Sequence, residues 1–266
     1  MQLAEKVIVI TGASSGIGAA LALALARRGA RLMLAARDGT RLAEVATRCT
    51  KLGARVAIQV TDVAEPAACG RLVERAVAEF GALDVLVNNA GITMWARFEA
   101  LGDLAIFGEM MSVNYLGAVY ATHAALAPLR KSRGLIVAVA SVAGFTGVPE
   151  RTAYAASKHA MVGFFESLRI ELAGSGIDVT IVAPDFVVSE AHKRAIGADG
   201  RPLGASPMQT ARIMTAEACA ARIVRAIERR ERLVVMSARG RFGRWLKLIA
   251  PRVVDRIAAR AIRRRY

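Results

Sequence analysis

From its first residues to about residue 236 the chain alternates short, continuously apolar runs with segments of helical period, and few architectures accept that order. The runs are KVIVIT, RLMLAA, RVAIQV, DVLVNNA, GLIVAVA, DVTIVA and RLVVM, at residues 6–11, 31–36, 55–60, 84–90, 134–140, 178–183 and 232–236. Between them, segments such as Gly18 to Arg28, Thr40 to Leu52 and Pro66 to Phe80 carry apolar residues at three- and four-residue steps, as one face of a helix does. A strand that is apolar at consecutive rather than alternate positions is covered on both faces. Strands and helices taken in turn then give an α/β fold: a doubly wound parallel sheet of about seven strands with helices on both faces. The apolar content of 55% in 266 residues supplies a large core. Neither a repeat nor a Pro/Ser-rich linker interrupts the pattern, so residues 1–236 read as one unit and residues 237–266 as an extension of it.

The first run leads into TGASSGIGAA, a strand, a glycine-rich turn and a helix. Gly12, Gly16 and Gly18 allow a tight turn and close approach of the backbone. Ser14, Ser15 and Ile17 lie beside a helix start whose N–H groups and positive dipole end suit a pyrophosphate. Set after the first strand of an alternating chain, this is the cradle of a Rossmann-type dinucleotide fold, here spaced G-x3-G-x-G. The end of the second strand is where an acidic residue would hold the ribose 2′-hydroxyl of NAD. Ala36 and then Arg37 stand there, and an arginine fork suits a 2′-phosphate, favouring NADP(H) over NAD(H). The alternative is that Arg37 is solvated and Asp38 takes a ribose.

YAASK places Tyr154 and Lys158 one helical turn apart within a helix expected over 152–172. An ammonium beside a phenol favours the phenolate, a step toward acid–base work, although such a pair alone is usually structural. Its companions make the chain resemble the short-chain dehydrogenase/reductase family over Val7 to about Met236. TGASSGIG resembles the family's cofactor turn, Asp62–Val63 its adenine-contacting pair, and NNAG, with Asn89, Ala90 and Gly91, its strand-four motif. VNYLG supplies Asn114, VAVASVAG supplies Ser141, and YAASK supplies Tyr154 and Lys158. The resemblance implies that Tyr154 exchanges a proton with the substrate oxygen while Ser141 hydrogen-bonds that oxygen. Lys158 would bind the nicotinamide ribose and favour the phenolate, and Asn114 would anchor a proton-relay water. Pro184, Val187 and Ser189 would flank the nicotinamide. Asp185 departs from the glycine common after the sixth strand; a harmless loop substitution is the readier reading, and fine positioning of the nicotinamide is what it would otherwise disturb.

Loop positions after the strands put Thr93, Met94, Trp95, Phe145, Val148 and Phe186 on the substrate side, an apolar wall suited to a lipophilic carbonyl or secondary alcohol. The irregular segment 185–210 would close over it. His192 lies there and reads as a surface residue more readily than a substrate contact, and His159 reads as structural. This local pattern is similar to the hydroxysteroid dehydrogenase-like reductases. The family resemblance also implies a homodimer or homotetramer.

The net charge of +15 gathers at the end, where Arg239 to Tyr266 hold ten Lys/Arg against Asp255. Phe242, Trp245, Leu246 and Ile249 form one stripe. Pro251 starts a second helix, with Val253, Val254, Ile257, Ala258 and Ile262 on an apolar side. Three readings of these two basic amphipathic helices stand: a cover for the active site or a subunit, peripheral contact with an anionic membrane, and, far behind, nucleic acid. Cys49, Cys69 and Cys219 show neither disulfide nor zinc spacing, and no run approaches the ~18 apolar residues of a membrane span. A cytoplasmic oxidoreductase using NADP(H), its tail resting on the inner membrane surface at most, is the expectation. Its rivals are a catalytically weak cofactor-binding or membrane-surface scaffold of the same fold and, less well matched, an acyl-carrier-protein reductase.

Overall fold

The seven apolar runs are the strands of one parallel sheet in the computed structural model, which describes residues 1–188, 192–205 and 213–263. In chain order the strands are β1 (Val7–Thr11), β2 (Arg31–Ala36), β3 (Val56–Val60), β4 (Val85–Asn88), β5 (Leu135–Val139), β6 (Asp178–Ala183), β7 (Val187–Val188), β8 (Met214–Thr215) and β9 (Leu233–Val235). The large sheet is ordered β3-β2-β1-β4-β5-β6-β9. The short β7 and β8 pair apart from it, within and beyond a stretch that the sequence pattern reads as irregular.

Period-two geometry explains why each strand is apolar throughout. Ile8, Ile10, Leu32 and Leu34 point to one face, where they meet Leu21 and Leu25 of α1 (Gly16–Ala26), Leu42 and Val45 of α2 (Gly39–Thr50) and Ile223 of α7 (Ala216–Arg229). The residues between them, Val7, Val9, Met33 and Ala35, point to the other face. They meet Leu72 of α3 (Pro66–Phe80), Leu129 of α5 (Gly117–Ser132) and Phe165 of α6 (Thr152–Glu171). Each of the Val, Leu, Ile, Met and Phe side chains among them contributes roughly 1.5–3 kcal/mol when fully buried. A one-residue slip would leave every small and large residue facing the wrong helix layer.

The order reverses between β1 and β4, and the chain leaves β1, β4, β5 and β6 at the same carboxyl edge. A crevice at such a switch point is where doubly wound sheets take ligands. Two features bear on that crevice: a π-helical turn that the sequence pattern does not show, and the two terminal helices that it does. Between α4 (Ala105–Met110) and α5, residues Met111–Leu116 form a π-helical turn that carries Asn114, the kind of irregularity that gathers at functional sites. After β9, α8 (Ala238–Ile249) and α9 (Pro251–Arg263) pack on each other, and α9 begins at Pro251, whose missing N–H is harmless in a first turn.

Gly18 is buried in α1, and a Cβ there would lie against the carbonyl oxygen of Gly12 and 2.6 Å from Asn89 Nδ2. Gly18→Ala is therefore expected to lower stability by about 1–3 kcal/mol through overpacking, read as a reduced urea midpoint at unchanged m-value.

Candidate active site

The turn after β1 is held from the β4 side. Thr11 Oγ1 accepts hydrogen bonds from the backbone N–H groups of Asn89 and Ala90, both at 3.0 Å. Asn89 Nδ2 donates to the carbonyls of Thr11 and Gly12 at 2.9 and 3.1 Å. Gly12 and Gly16 adopt left-handed φ values of 67° and 55°. A Cβ on Gly12 would lie 2.7 Å from Ala90 Cα, so only glycine permits this approach. No side chain caps α1; Ser15 Oγ instead accepts from Arg194 at 2.6 Å. An open helix N-terminus faced by glycine backbone, Ser14, Ser15 and an arginine fits the diphosphate of a dinucleotide. Gly18 serves the packing of α1 on β1 and lies off the cavity wall.

A cavity of about 930 Å³ runs from this turn along the carboxyl edge. Arg37, Asp62 and Val63 line one end, and Ser141, Tyr154, Lys158, Pro184 and Val187 line the region below β5 and β6, with Asn89, Ala90 and Gly91 between. Asp62 Oδ1 accepts from the N–H of Ala64 at 3.0 Å, fixing its turn. Asp38 lines that end too, and its Oδ1 caps α2 by accepting from the N–H of Arg41, 3.0 Å away. Arg37 is 60% exposed and 4.0 Å from Asp62. Ser189 lies outside the described residues.

Lys158 is only 4% exposed. Its Nζ donates to Val139 O at 2.9 Å and lies 5.9 Å from the centroid of the Tyr154 ring. Burial pushes its pKa down to about 8. Ser141 Oγ accepts from the N–H of Ala143 at 3.1 Å and sits 3.4 Å from Pro184 O, which joins the loops after β5 and β6. Asn114 is fully buried and off the cavity wall. Its amide clasps both the N–H and the C=O of Ile92, at 2.8 and 3.0 Å, and donates to Ser157 Oγ at 2.9 Å; that hydroxyl donates to Tyr154 O at 2.8 Å. Asn114 thus ties the loop after β4 to the helix that carries Tyr154 and Lys158.

On the substrate side Thr93, Trp95, Val148 and Phe186 line the cavity, while Met94 and Phe145 do not. Met94 alternates away from Thr93 and Trp95 and is buried with Ala96, Ile106, Met110 and Ala153. Phe145 turns onto the core, its ring beneath the Arg244 guanidinium at 5.7 Å. His192 is buried on the cavity wall rather than exposed, and His159 Nδ1 bonds to Ala155 O within its own helix at 2.8 Å.

Residues the sequence reading passed over also converge here. Arg151 is 6% exposed, with its guanidinium 4.5, 5.1 and 5.3 Å from the rings of Trp95, Tyr154 and Phe186. Glu150, buried at a left-handed φ of 64°, accepts from Trp95 Nε1 at 2.8 Å. The signal was the adjacent acid and base just ahead of YAASK. Nothing local marks Arg194, which meets Ser15 across 179 residues.

The terminal stripe divides. Phe242 and Leu246 of α8 and Val254, Ile257 and Ala258 of α9 line the cavity, Phe242 and Ile257 at its open side and themselves exposed, whereas Trp245 and Ile249 lie off its wall. Among the described residues no disulfide forms and no metal cluster is present. Burial raises the Cys49 and Cys69 thiols to about 11 and Cys219 to about 12.

Residues 6–198 match the family model for short chain dehydrogenase. The chain belongs to the short chain dehydrogenase family. Among its relatives, 11-beta-hydroxysteroid dehydrogenase-like 4A of Arabidopsis thaliana is 42% identical over 94% of this chain and 82% of that protein. The 11-beta-hydroxysteroid dehydrogenase A of Sesamum indicum is 42% identical over 95% and 74%. The dehydrogenase/reductase SDR family protein 7-like of Dictyostelium discoideum is 36% identical over 94% and 80%. A short chain dehydrogenase/reductase from Burkholderia phymatum, solved in complex with NAD, superposes with a TM-score of 0.83 at 26% identity, covering 95% of this chain and 96% of its own. This short chain dehydrogenase is therefore an oxidoreductase with the seven-stranded Rossmann-type sheet of its family.

Lys158 yields a signed pH dependence. Between about 8 and its ordinary 10.5 an unfolded chain keeps this proton and the folded chain releases it, so this group makes stability rise with pH across that window. Measured by urea unfolding without cofactor, the stability difference between wild type and Lys158→Met is expected to shift in favour of wild type from pH 8 to 10.5.

Proposed function

We propose that this short chain dehydrogenase transfers hydride between NADP(H) and an apolar carbonyl or secondary alcohol, with Tyr154 as the proton donor and acceptor. The observation that carries the reading is that Ser141, Tyr154 and Lys158 share one cavity with the glycine turn. Residues 1–236 hold that machinery and residues 237–266 extend it.

The bound nicotinamide supplies the hydride. The chain's own work is to hold and protonate. Ser141, its oxygen held by the N–H of Ala143, turns its one hydroxyl proton from Pro184 O to the substrate oxygen and keeps that oxygen beside Tyr154. Tyr154 gives that oxygen a proton in reduction and removes it in oxidation. Lys158 presents an ammonium to the ribose hydroxyls from a buried seat, one helical turn from Tyr154. Asn114 keeps the Ile92 loop and α6 in register. Trp95, Val148 and Phe186 supply apolar walls, which favour a lipophilic substrate over a sugar.

Two observations support NADP(H). Ala36 leaves the end of β2 without a carboxylate, and Arg37 stands at the cavity's rim, where its guanidinium can meet a 2′-phosphate, beside an Asp38 whose Oδ1 already caps α2. The Arg37 contact is worth about 1.5–3 kcal/mol as a charge-assisted hydrogen bond. Arg37→Leu is thus expected to lower the preference for NADPH over NADH by roughly 10- to 100-fold in kcat/KM.

Tyr154→Phe is expected to abolish turnover across a panel of carbonyls and alcohols while NADPH still binds, followed by its fluorescence. Unchanged turnover in that variant would sink the mechanism and favour a binding scaffold.

A second reading concerns the outward face of the last two helices. Trp245, Leu248 and Ile249 are exposed there, the last at 84%, and Arg241, Arg252, Arg256 and Arg260 accompany them on the same pair of helices. This combination suits the interface of an anionic bilayer. No helix among the described residues is long and apolar enough to cross one. Trp245→Glu with Ile249→Glu is expected to abolish sedimentation with anionic phospholipid vesicles; retained binding would refute the membrane reading.

A further inference from the structure

Asp185, the residue that departs from the family's glycine, and the C-terminal extension meet in one place. Asp185 is 17% exposed at its side chain, and both of its oxygens are engaged. Oδ1 accepts from Arg239 NH2 at 2.7 Å and from the N–H of Phe186 at 3.0 Å. Oδ2 accepts from Ser237 Oγ at 2.7 Å and from Arg239 Nε at 3.2 Å. Ser237 is itself the N-cap of α8, accepting from the N–H of Gly240 at 2.9 Å. One carboxylate therefore grips the first turn of α8 through a two-pronged arginine and a capping serine.

The rest of α8 lies on the loop that carries Ser141. A Cβ on Gly240 would fall 2.7 Å from Val142 Cγ2, so glycine sets how closely the helix approaches. Farther along, Lys247 Nζ donates to Phe145 O at 3.0 Å. The residue before Asp185 closes the circuit, because Pro184 O accepts from the N–H of Val142 at 2.9 Å. α8 and the loops after β5 and β6 thus form one body, and Phe242 and Leu246 are the face it turns to the cavity.

We propose that Asp185 is a positioning residue that latches α8 over the cleft, making the last two helices a fixed wall of the substrate cavity that selects extended apolar substrates. This deepens the oxidoreductase reading and rests on it. A small aldehyde is held near Tyr154 by Ser141 and Trp95 and has no need of the α8 wall. A long apolar ketone reaches Phe242, Leu246, Val254 and Ile257 and loses that contact when the latch opens. Asparagine in place of Asp185 keeps the shape but turns one acceptor into a donor facing Arg239 and Ser237.

The test compares wild type, Asp185→Asn, Arg239→Gln and the double variant, all of full length. One arm is backbone hydrogen exchange over residues 238–249, which needs no substrate. The other is the kinetics of propanal and of a long-chain ketone with NADPH. Each single variant is expected to speed exchange in α8 and to raise KM for the long-chain ketone by about tenfold, equivalent to ~1.4 kcal/mol. The KM for propanal should change less than about twofold, and the double variant should be no worse than Asp185→Asn, as for two halves of one contact. Unchanged exchange in Asp185→Asn would overturn the latch. An equal rise in KM for both carbonyls, or additive losses in the double variant, would overturn its role in selecting substrates. A wild type that turns over neither carbonyl would count against the oxidoreductase reading and, with it, the selectivity, while the exchange arm would still decide the latch.

Discussion

The clasp between Asn89 and the glycine turn is the contact on which the site depends. Parallel strands whose order reverses leave a crevice, but a crevice becomes a binding site only if its two lips stay at fixed separation. Here Thr11 and Asn89 exchange hydrogen bonds across the β1 and β4 ends, and Gly12 and Gly18 remove the Cβ atoms that would prise them apart. Four hydrogen bonds make up the same clasp, so loosening it costs both packing and hydrogen bonds. The position of α1's open N-terminus follows from it.

The second half of the site is organised around a buried cation. An ammonium taken out of water is unfavourable unless its donors find acceptors, and Val139 O supplies one for Lys158. The downward push on its pKa is the residual cost of that burial. A rigid frame has to hold the lysine there, and the frame is the sequence of contacts from Ile92 through Asn114 and Ser157 to the backbone of Tyr154. The π-helical turn at Met111–Leu116 belongs to the same frame, since it is the segment that carries Asn114.

The sheet and most of the site were legible in the sequence because both are written in local chemistry. Continuous apolar runs marked the strands of the large sheet, and Gly12, Ser141, Tyr154 and Lys158 fell where short motifs said they would. What escaped depends on direction or distance. Met94 and Trp95 are adjacent and equally apolar, and only the alternation of an extended segment decides which one faces the cavity. Phe145 is drawn onto the core by a helix that begins almost a hundred residues later. Arg194 and Ser15 are neighbours only in the fold. Asp185 reads in the sequence as a harmless loop substitution because its partners, Ser237 and Arg239, lie beyond the stretch that resembles the family.

The terminal stripe shows why residue spacing alone left its role open. Steps of three and four residues gather Phe242, Trp245, Leu246 and Ile249 onto half of a helix, but half of a helix is wider than one contact surface. Arg239, Phe242, Gly243 and Leu246 follow one line along α8, and that line meets the cavity. Arg241, Trp245 and Leu248 follow another, rotated from the first and off the cavity wall. The basic residues divide in the same way. Arg239 is paired with Asp185, while Lys247 and Arg244 are tethered to Phe145 through its carbonyl and its ring and keep their charge. A cover and an outward surface are thus not competing descriptions of one face but the two sides of one helix, and ion pairing among the described residues removes only Arg239 from the charge that α8 presents.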